Sequence, residues 1–262
     1  MPTYALLGAT GSTGSAILRC LLATPTQDLV VNIFIRNKAK LLEAFPSLES
    51  SPPFKVFIFE GSLNDTMLMR TCLQGVDVIF GVIATNVSSR GMSICCETAA
   101  AIIEALKFHQ QQSAVYKAPT VVQLRSASVN KLLKAAMPWA VRNMAEFCFH
   151  YCYEDIRRAS ALFISAAEGP LEVLHYIFVD PPAIHDPEGV APTGYSLIVD
   201  GIGKQESALS YSDLGASFCE LAARRDEFRD KEVGPSATGK VNLTVDKLLP
   251  FVIAGAKGRV FG

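Results

Sequence analysis

Short apolar runs alternate with segments in which apolar residues recur every three or four positions, and the alternation continues from the first residues to about residue 180. The runs at 3–7, 29–35, 54–59, 76–83, 119–125 and 172–179 are short and rich in Val, Ile and Phe, which predicts strands. Helix-patterned or linking segments follow each of them, beginning with Ser15–Leu22 after the first. Strands separated by helical crossovers imply a parallel sheet covered on both faces, because a parallel pair cannot be joined by a tight turn. In such a sheet ligands lie at the carboxyl ends of the strands, where the strand order reverses, so candidate chemistry is sought just after each strand. Two stretches break the pattern. Pro46–Pro53 reads as a polar surface loop, and Asp180–Gly203, rich in Pro and Gly, is expected to build the substrate side.

The first strand runs directly into Gly8-Ala9-Thr10-Gly11-Ser12-Thr13-Gly14, and a helical pattern begins at Ser15. Three glycines in this context suit a dinucleotide held by its pyrophosphate: one for the tight turn, one for close approach of backbone to phosphate oxygens, one for tight helix-on-strand packing. Amide N–H groups at the helix N-terminus would then face the anion. The plain alternative is a tight strand-to-helix turn without a ligand. The expected fold is α/β, a Rossmann-type doubly wound parallel sheet with a small C-terminal substrate lobe. The chain reads as a single domain over residues 1–262, with 180–262 contributing most of that lobe.

The second strand ends at Arg36-Asn37-Lys38-Ala39-Lys40. A site that prefers NAD carries an acidic residue about 20 residues past the glycines to bond the ribose hydroxyls. Here Arg36 stands 22 residues after Gly14, with Lys38 and Lys40 close behind, which suits the 2′-phosphate of NADP(H). A solvated basic turn is the alternative. After the third strand, Ser62 and Leu63 fall in Gly61-Ser62-Leu63-Asn64-Asp65, where an adenine-contacting loop would lie or where Asn64 would cap a helix. After the fourth, Ala84-Thr85-Asn86 would line the nicotinamide ribose.

These motifs, with a late Leu209-Ser210-Tyr211-Ser212-Asp213-Leu214 segment, resemble an atypical short-chain dehydrogenase/reductase of the NmrA-like group over essentially the whole chain. In texture the chain is similar to averufin-oxidase-like tailoring enzymes of fungal aromatic polyketide pathways. That resemblance implies cytosolic NADPH-linked chemistry on a phenolic or quinonoid substrate. The family's catalytic signature is a serine followed by Tyr-x-x-x-Lys, and it is present here in altered form. Ser126 or Ser128 stands at the end of the fifth strand for the substrate-orienting hydroxyl, and Tyr153 aligns with the acid. Arg157 replaces the lysine.

Tyr153 and Arg157, at i and i+4, share a helix face, so the guanidinium is expected to lower the phenol pKa and to hold the nicotinamide ribose. Packing plus a surface ion pair is the plain reading of the same two residues. His150, one turn before Tyr153, could reach the same cleft or serve as a hydrogen-bonded structural residue. Tyr151 is set apart by Asp155 at i+4, a partner expected to raise its pKa. Cys148 and Cys152, four apart, read as core or as a thiol pair, Cys95 and Cys96 read as core, and His185-Asp186 is too isolated for a metal site.

Composition narrows the class further. The 262 residues are 50% hydrophobic, enough for one sizeable core, and a net charge of −1 offers no broad basic surface to nucleic acid. No run approaches the roughly 20 apolar residues of a membrane helix, and the opening lacks the pattern of a secretory leader. Seven cysteines without paired spacing are expected to be reduced thiols, which points to the cytoplasm. The expected partner is a small-molecule substrate, with no nucleic acid and no membrane; oligomeric state is open, a homodimer included. The reading is an NADP(H)-dependent oxidoreductase. A non-redox isomerase or cyclase with structural NADP, and an NmrA-like regulatory protein that only binds NADP, are the alternatives.

Overall fold

The computed structural model describes residues 1–24, 28–50, 52–85, 87–186, 192–239 and 252–259. Six parallel strands lie within a residue or two of the predicted positions: β1 (Thr3–Leu7), β2 (Val30–Ile35), β3 (Lys55–Glu60), β4 (Val78–Gly81), β5 (Thr120–Leu124) and β6 (His175–Val179). The last is the exception in length, beginning three residues later than the apolar run. Further along come β7 (Ala183–His185), β8 (Tyr195–Val199), β9 (Ala208–Ser210) and β10 (Lys231–Ala237). Eight of these make one sheet in the order β3-β2-β1-β4-β5-β6-β10-β8, while β7 and β9 pair separately. Among the described residues, only β8 runs antiparallel in the large sheet.

Helices α1 (Ser12–Ala23), α2 (Lys38–Ala44), α3 (Ser47–Ser50), α4 (Thr66–Leu73), α5 (Ile94–Gln112), α6 (Lys131–Ala136), α7 (Trp139–Cys148), α8 (His150–Ala167) and α9 (Tyr211–Ala223) connect the strands. The stretch expected to be a plain surface loop therefore holds one short helical turn, α3. Successive strand residues point to opposite faces. Leu6, Ile33, Phe80, Val122 and Ile177 face α1 and α9 through Ile17, Leu18, Leu214 and Phe218. Ala5, Leu7, Phe34, Ile79, Val121 and Phe178 face α4, α5 and α8 through Met69, Ile102, Leu106 and Phe163. Burying each large side chain contributes about 1.5–3 kcal/mol, so both faces of the sheet must be covered. Phe80 is fully buried between Tyr4 and Phe218, and truncating it to alanine would cost about 3–5 kcal/mol.

The strand order reverses between β1 and β4. The chain builds outward from β1 to β3 and then returns to place β4 on the other side of β1. Because β1 to β6 are parallel, their carboxyl ends share one edge. That edge carries the glycine loop, Arg36, the Gly61 turn, Thr85 and the Ser126–Ser128 loop.

Candidate active site

The glycine loop is built to bring backbone close to an anion. Gly8 takes φ +102°, a left-handed conformation, and a Cβ there would press on the backbone of Val82 and Ile83 at 3.2 Å. A Cβ on Gly14 would stand 2.1 Å from the Gly8 carbonyl oxygen, so α1 can seat on β1 only with glycine at that position. Gly11 occupies the N-cap of α1 in extended backbone, with its N–H donating to Gly8 O at 3.0 Å. No side chain caps the helix, which leaves the first-turn amides directed outward with the positive end of the helix dipole. Thr10 is half-buried, Ser12 exposed and Thr13 buried. Tyr211, at the start of α9, reaches this loop: burial pushes its phenol up, and a hydrogen bond with the Ser12 hydroxyl opposes the shift. The loop thus fits a pyrophosphate. Tyr211 and Ser12 meet because α9 lies against α1, where Gly215 allows close approach to the Ala16 backbone.

Arg36 is exposed at the end of β2. Asn37 caps α2 by accepting the Lys40 N–H at 2.8 Å, and the Lys38 N–H donates to Glu60 Oε1 at 2.9 Å. Glu60 ends β3 in register with Ile35, so an acid does stand beside the basic turn, supplied by the neighbouring strand. Ser62 is exposed and Leu63 packs on the core, while the cap of α4 is Asp65, accepting the Leu68 N–H at 3.0 Å, and not Asn64. The turn from Ser62 to Asp65, closed by the Asp65 N–H donating to Ser62 O, sets Asp65 in that place. Ala84 and Thr85 are exposed after β4, and Asn86 lies outside the described residues.

The hydroxyls of Ser126, Ser128 and Tyr153 converge. Tyr153 is 8% exposed, and both serine hydroxyls stand near enough to its phenol to favour the ionised form. The Cys152 thiol donates to Thr85 O at 3.6 Å, which ties the start of α8 to the loop after β4. Burial holds the Tyr153 phenol above its ordinary value; the serines pull the other way and the Glu146 carboxylate adds to the rise.

Three expectations about this helix are corrected. Arg157 does not bias Tyr153 toward phenolate, because its guanidinium donates to Glu146 Oε1 and Oε2 at 2.9 and 3.1 Å and lies 6.0 Å from the Tyr153 ring centroid. Although burial opposes it, Lys134 and Arg157 together hold the Glu146 carboxyl below its usual range, so the cation is spent on a neighbouring anion. His150 turns its Nε2 toward Glu154, 3.5 Å away, rather than into the serine–tyrosine cluster. Asp155 does not serve Tyr151. It is fully buried and accepts the Cys95 and Cys96 N–H groups at 2.8 and 3.0 Å, capping α5 from another helix.

Two further residues act through partners that the sequence did not name. Asp180 binds Arg125 from the end of the adjacent strand, and Asp213 accepts from Ser210 Oγ, Thr193 Oγ1 and the Thr193 and Gly194 amides. An open cleft of about 620 Å³ lined by Arg90, Tyr151, Glu154, Arg157 and Arg158 includes none of the three converging hydroxyls. Among the described residues no helix is long and apolar enough to cross a membrane.

The profile of the NAD(P)H-binding family matches residues 8–224, from the first glycine of the loop to the end of α9. The chain belongs to this family. It is 47% identical to averufin oxidase A of Dothistroma septosporum, covering 99% of this chain and 92% of that one. It is 42% identical to averufin oxidase A of Aspergillus flavus over 99% and 91% of the two chains. Among solved structures, a wide-type short-chain dehydrogenase/reductase of Veillonella parvula in complex with NADP superposes with a TM-score of 0.65 at 18% identity, covering 92% of this chain and 99% of that one. The NAD(P)H-binding character and the oxidoreductase class follow from the family and its relatives.

Proposed function

We propose that the protein is an NADP(H)-dependent oxidoreductase acting on a carbonyl, phenolic or quinonoid small molecule, an aromatic polyketide intermediate of fungal secondary metabolism, in the cytoplasm. The observation that carries the reading is the convergence of Ser126, Ser128 and Tyr153 from two different elements at the sheet edge that also bears the glycine loop. A protein that only sensed NADP would have no use for three converging hydroxyls. The single domain would bind the cofactor through its N-terminal half, and residues 180–262 would supply most of the substrate side.

Amides at the start of α1 and the Ser12 hydroxyl would hold the pyrophosphate of the cofactor. Arg36, supported by Lys38, would bind the 2′-phosphate, and Ser62 and Leu63 would contact the adenine. Ala84 and Thr85 would serve the nicotinamide ribose. The cofactor supplies the hydride. Tyr153, whose buried phenol keeps its proton through the neutral range, delivers that proton to the substrate oxygen. Ser126 and Ser128 orient the same oxygen. Arg157 sets the field around Tyr153 by holding Glu146 close, and His150 stays at the rim.

The test follows NADPH oxidation by absorbance against hydroxylated anthraquinones and aryl ketones, comparing wild type with Tyr153→Phe. Turnover that disappears in Tyr153→Phe while NADPH still binds supports the reading. Turnover undiminished in that variant refutes the role of Tyr153.

A further inference from the structure

The loop that carries both serines is clamped at its two ends by one buried carboxylate. Arg125, the residue before Ser126, donates through Nε to Asp180 Oδ1 at 2.8 Å and through a terminal nitrogen to Asp180 Oδ2 at 2.7 Å. Asn130, four residues after Ser126, donates through Nδ2 to the same Oδ2 at 2.9 Å and to Glu232 Oε2 at 2.7 Å. Its Oδ1 accepts the Leu132 and Leu133 amides, so one side chain caps α6 and closes the clamp. Glu232, on β10, also meets the Arg125 guanidinium at 2.9 Å. The side chains of Asp180 and Arg125 are 0% and 4% exposed, and the guanidinium stacks 4.3 Å from the Phe178 ring centroid. Between the clamped ends, Ala127 N–H donates to Pro181 O at 2.9 Å and Val129 N–H to Ser126 O at 2.8 Å.

A buried ion pair of this kind adds little net stability over apolar side chains of the same volume, because desolvation offsets the attraction. What it does supply is geometry. A two-point fork between planar groups leaves no freedom of approach, and every polar atom of the network that faces inward is matched. We propose that Asp180, with Arg125 and Asn130, is a positioning unit that holds the Ser126 and Ser128 hydroxyls against the Tyr153 phenol. The unit spans β5, β6 and β10 and sets the loop relative to the sheet. Tyr153, on α8, is set by different contacts, so the clamp acts on the serine–tyrosine alignment from the serine side, together with the Ala127 N–H to Pro181 O bond.

The inference rests on the catalytic reading of Tyr153, and the test separates the two. Two variants are compared with wild type: the double replacement Arg125→Met/Asp180→Leu, which removes both charges together, and Asn130→Ser, which keeps an N-cap residue but is too short to bridge the carboxylates. Each is labelled with tyrosine carrying ¹³C at the ring carbon bonded to oxygen, the Tyr153 signal being assigned with Tyr153→Phe. In folded variants with wild-type NADPH affinity, that signal is expected to move to its position in Ser126→Ala/Ser128→Ala. With menadione as the probe quinone, kcat is expected to fall up to roughly a hundredfold with little change in KM, the scale of an ångström's misplacement at a reacting centre. A signal unmoved in a folded variant overturns the inference. A signal that moves while Tyr153→Phe keeps full turnover upholds the clamp and refutes the acid role of Tyr153 instead.

Discussion

Replacing Gly11 by valine should separate cofactor binding from folding. Gly11 has φ −78° and ψ 161°, open to any residue, and a Cβ built there meets only the Gly8 carbonyl oxygen at 3.4 Å, an ordinary contact. The Cβ itself therefore meets no obstruction in the protein. Losing glycine at an uncapped helix start costs about 1 kcal/mol or less, which lowers Tm by roughly 2–4 °C in a chain of this size. The cost to binding is far larger, because the new methyls occupy the space in front of the outward-directed amides. Two charge-assisted hydrogen bonds at about 1.5–3 kcal/mol each correspond to a loss of roughly 10² to 10⁴ in affinity. Gly14→Ala is the contrasting control: its Cβ would stand 2.1 Å from Gly8 O, so it should unfold the protein with or without cofactor. The assay is NADPH fluorescence titration alongside thermal unfolding without ligand. A folded Gly11→Val protein that binds NADPH with wild-type affinity would refute the reasoning.

Arg36→Ala should weaken NADPH by roughly ten- to a hundredfold and leave NADH nearly unchanged, the loss of one or two charge-assisted bonds; equal losses by calorimetry would contradict it. Glu60→Gln, which removes a negative charge beside the same turn, should tighten NADPH and not NADH. Tyr153→Phe should cost about 10²- to 10⁴-fold in kcat with NADPH affinity kept, read by stopped-flow absorbance. The Tyr153 phenol lies above its ordinary value of 10.0, so the proton-donating form persists through neutrality. Any stability linked to that raised value is complete below pH 10 and lost as pH rises through the folded value. Reductive kcat should hence be flat until the alkaline range, and a fall near neutrality assigned to Tyr153 would be inconsistent with its burial. Asp155→Ala strands one buried and one part-buried amide at the start of α5 and should destabilise by about 1–3 kcal/mol for the buried group and less for the other, checked by denaturant unfolding.

The strands and the glycine loop were legible because both rest on local information: short apolar runs and a spacing of glycines. Gly14 shows why the motif is informative, since the reason for glycine is a contact only six residues away. The Ser126, Ser128 and Tyr153 set was legible through its spacing and its resemblance to a known signature, although its electrostatics were not. Whether Arg157 acts on Tyr153 depends on Glu146, which sits on α7 and reaches back across the helix turn. Sequence periodicity cannot rank two partners at similar reach. Glu60 illustrates the same limit in the sheet. An acid beside the basic turn is absent from the Arg36 segment but present in space, because parallel register sets Glu60 opposite Ile35. The roles of Asp155, Asp180 and Asp213 were hidden for a related reason: each satisfies amides or a guanidinium 19 to 60 residues away, and an aspartate carries no sign of such a partner.

The most direct test of the account is a crystal structure of the protein with NADP and a bound quinone or aryl ketone. The account predicts the 2′-phosphate against Arg36 and the pyrophosphate on the amides of α1. It also predicts the Tyr153 hydroxyl within about 7 Å of the nicotinamide C4, with the substrate oxygen between them in reach of Ser126 or Ser128. A nicotinamide ring placed beyond that distance, with Tyr153 still enclosed by the serine loop and no path to the substrate oxygen, would contradict it.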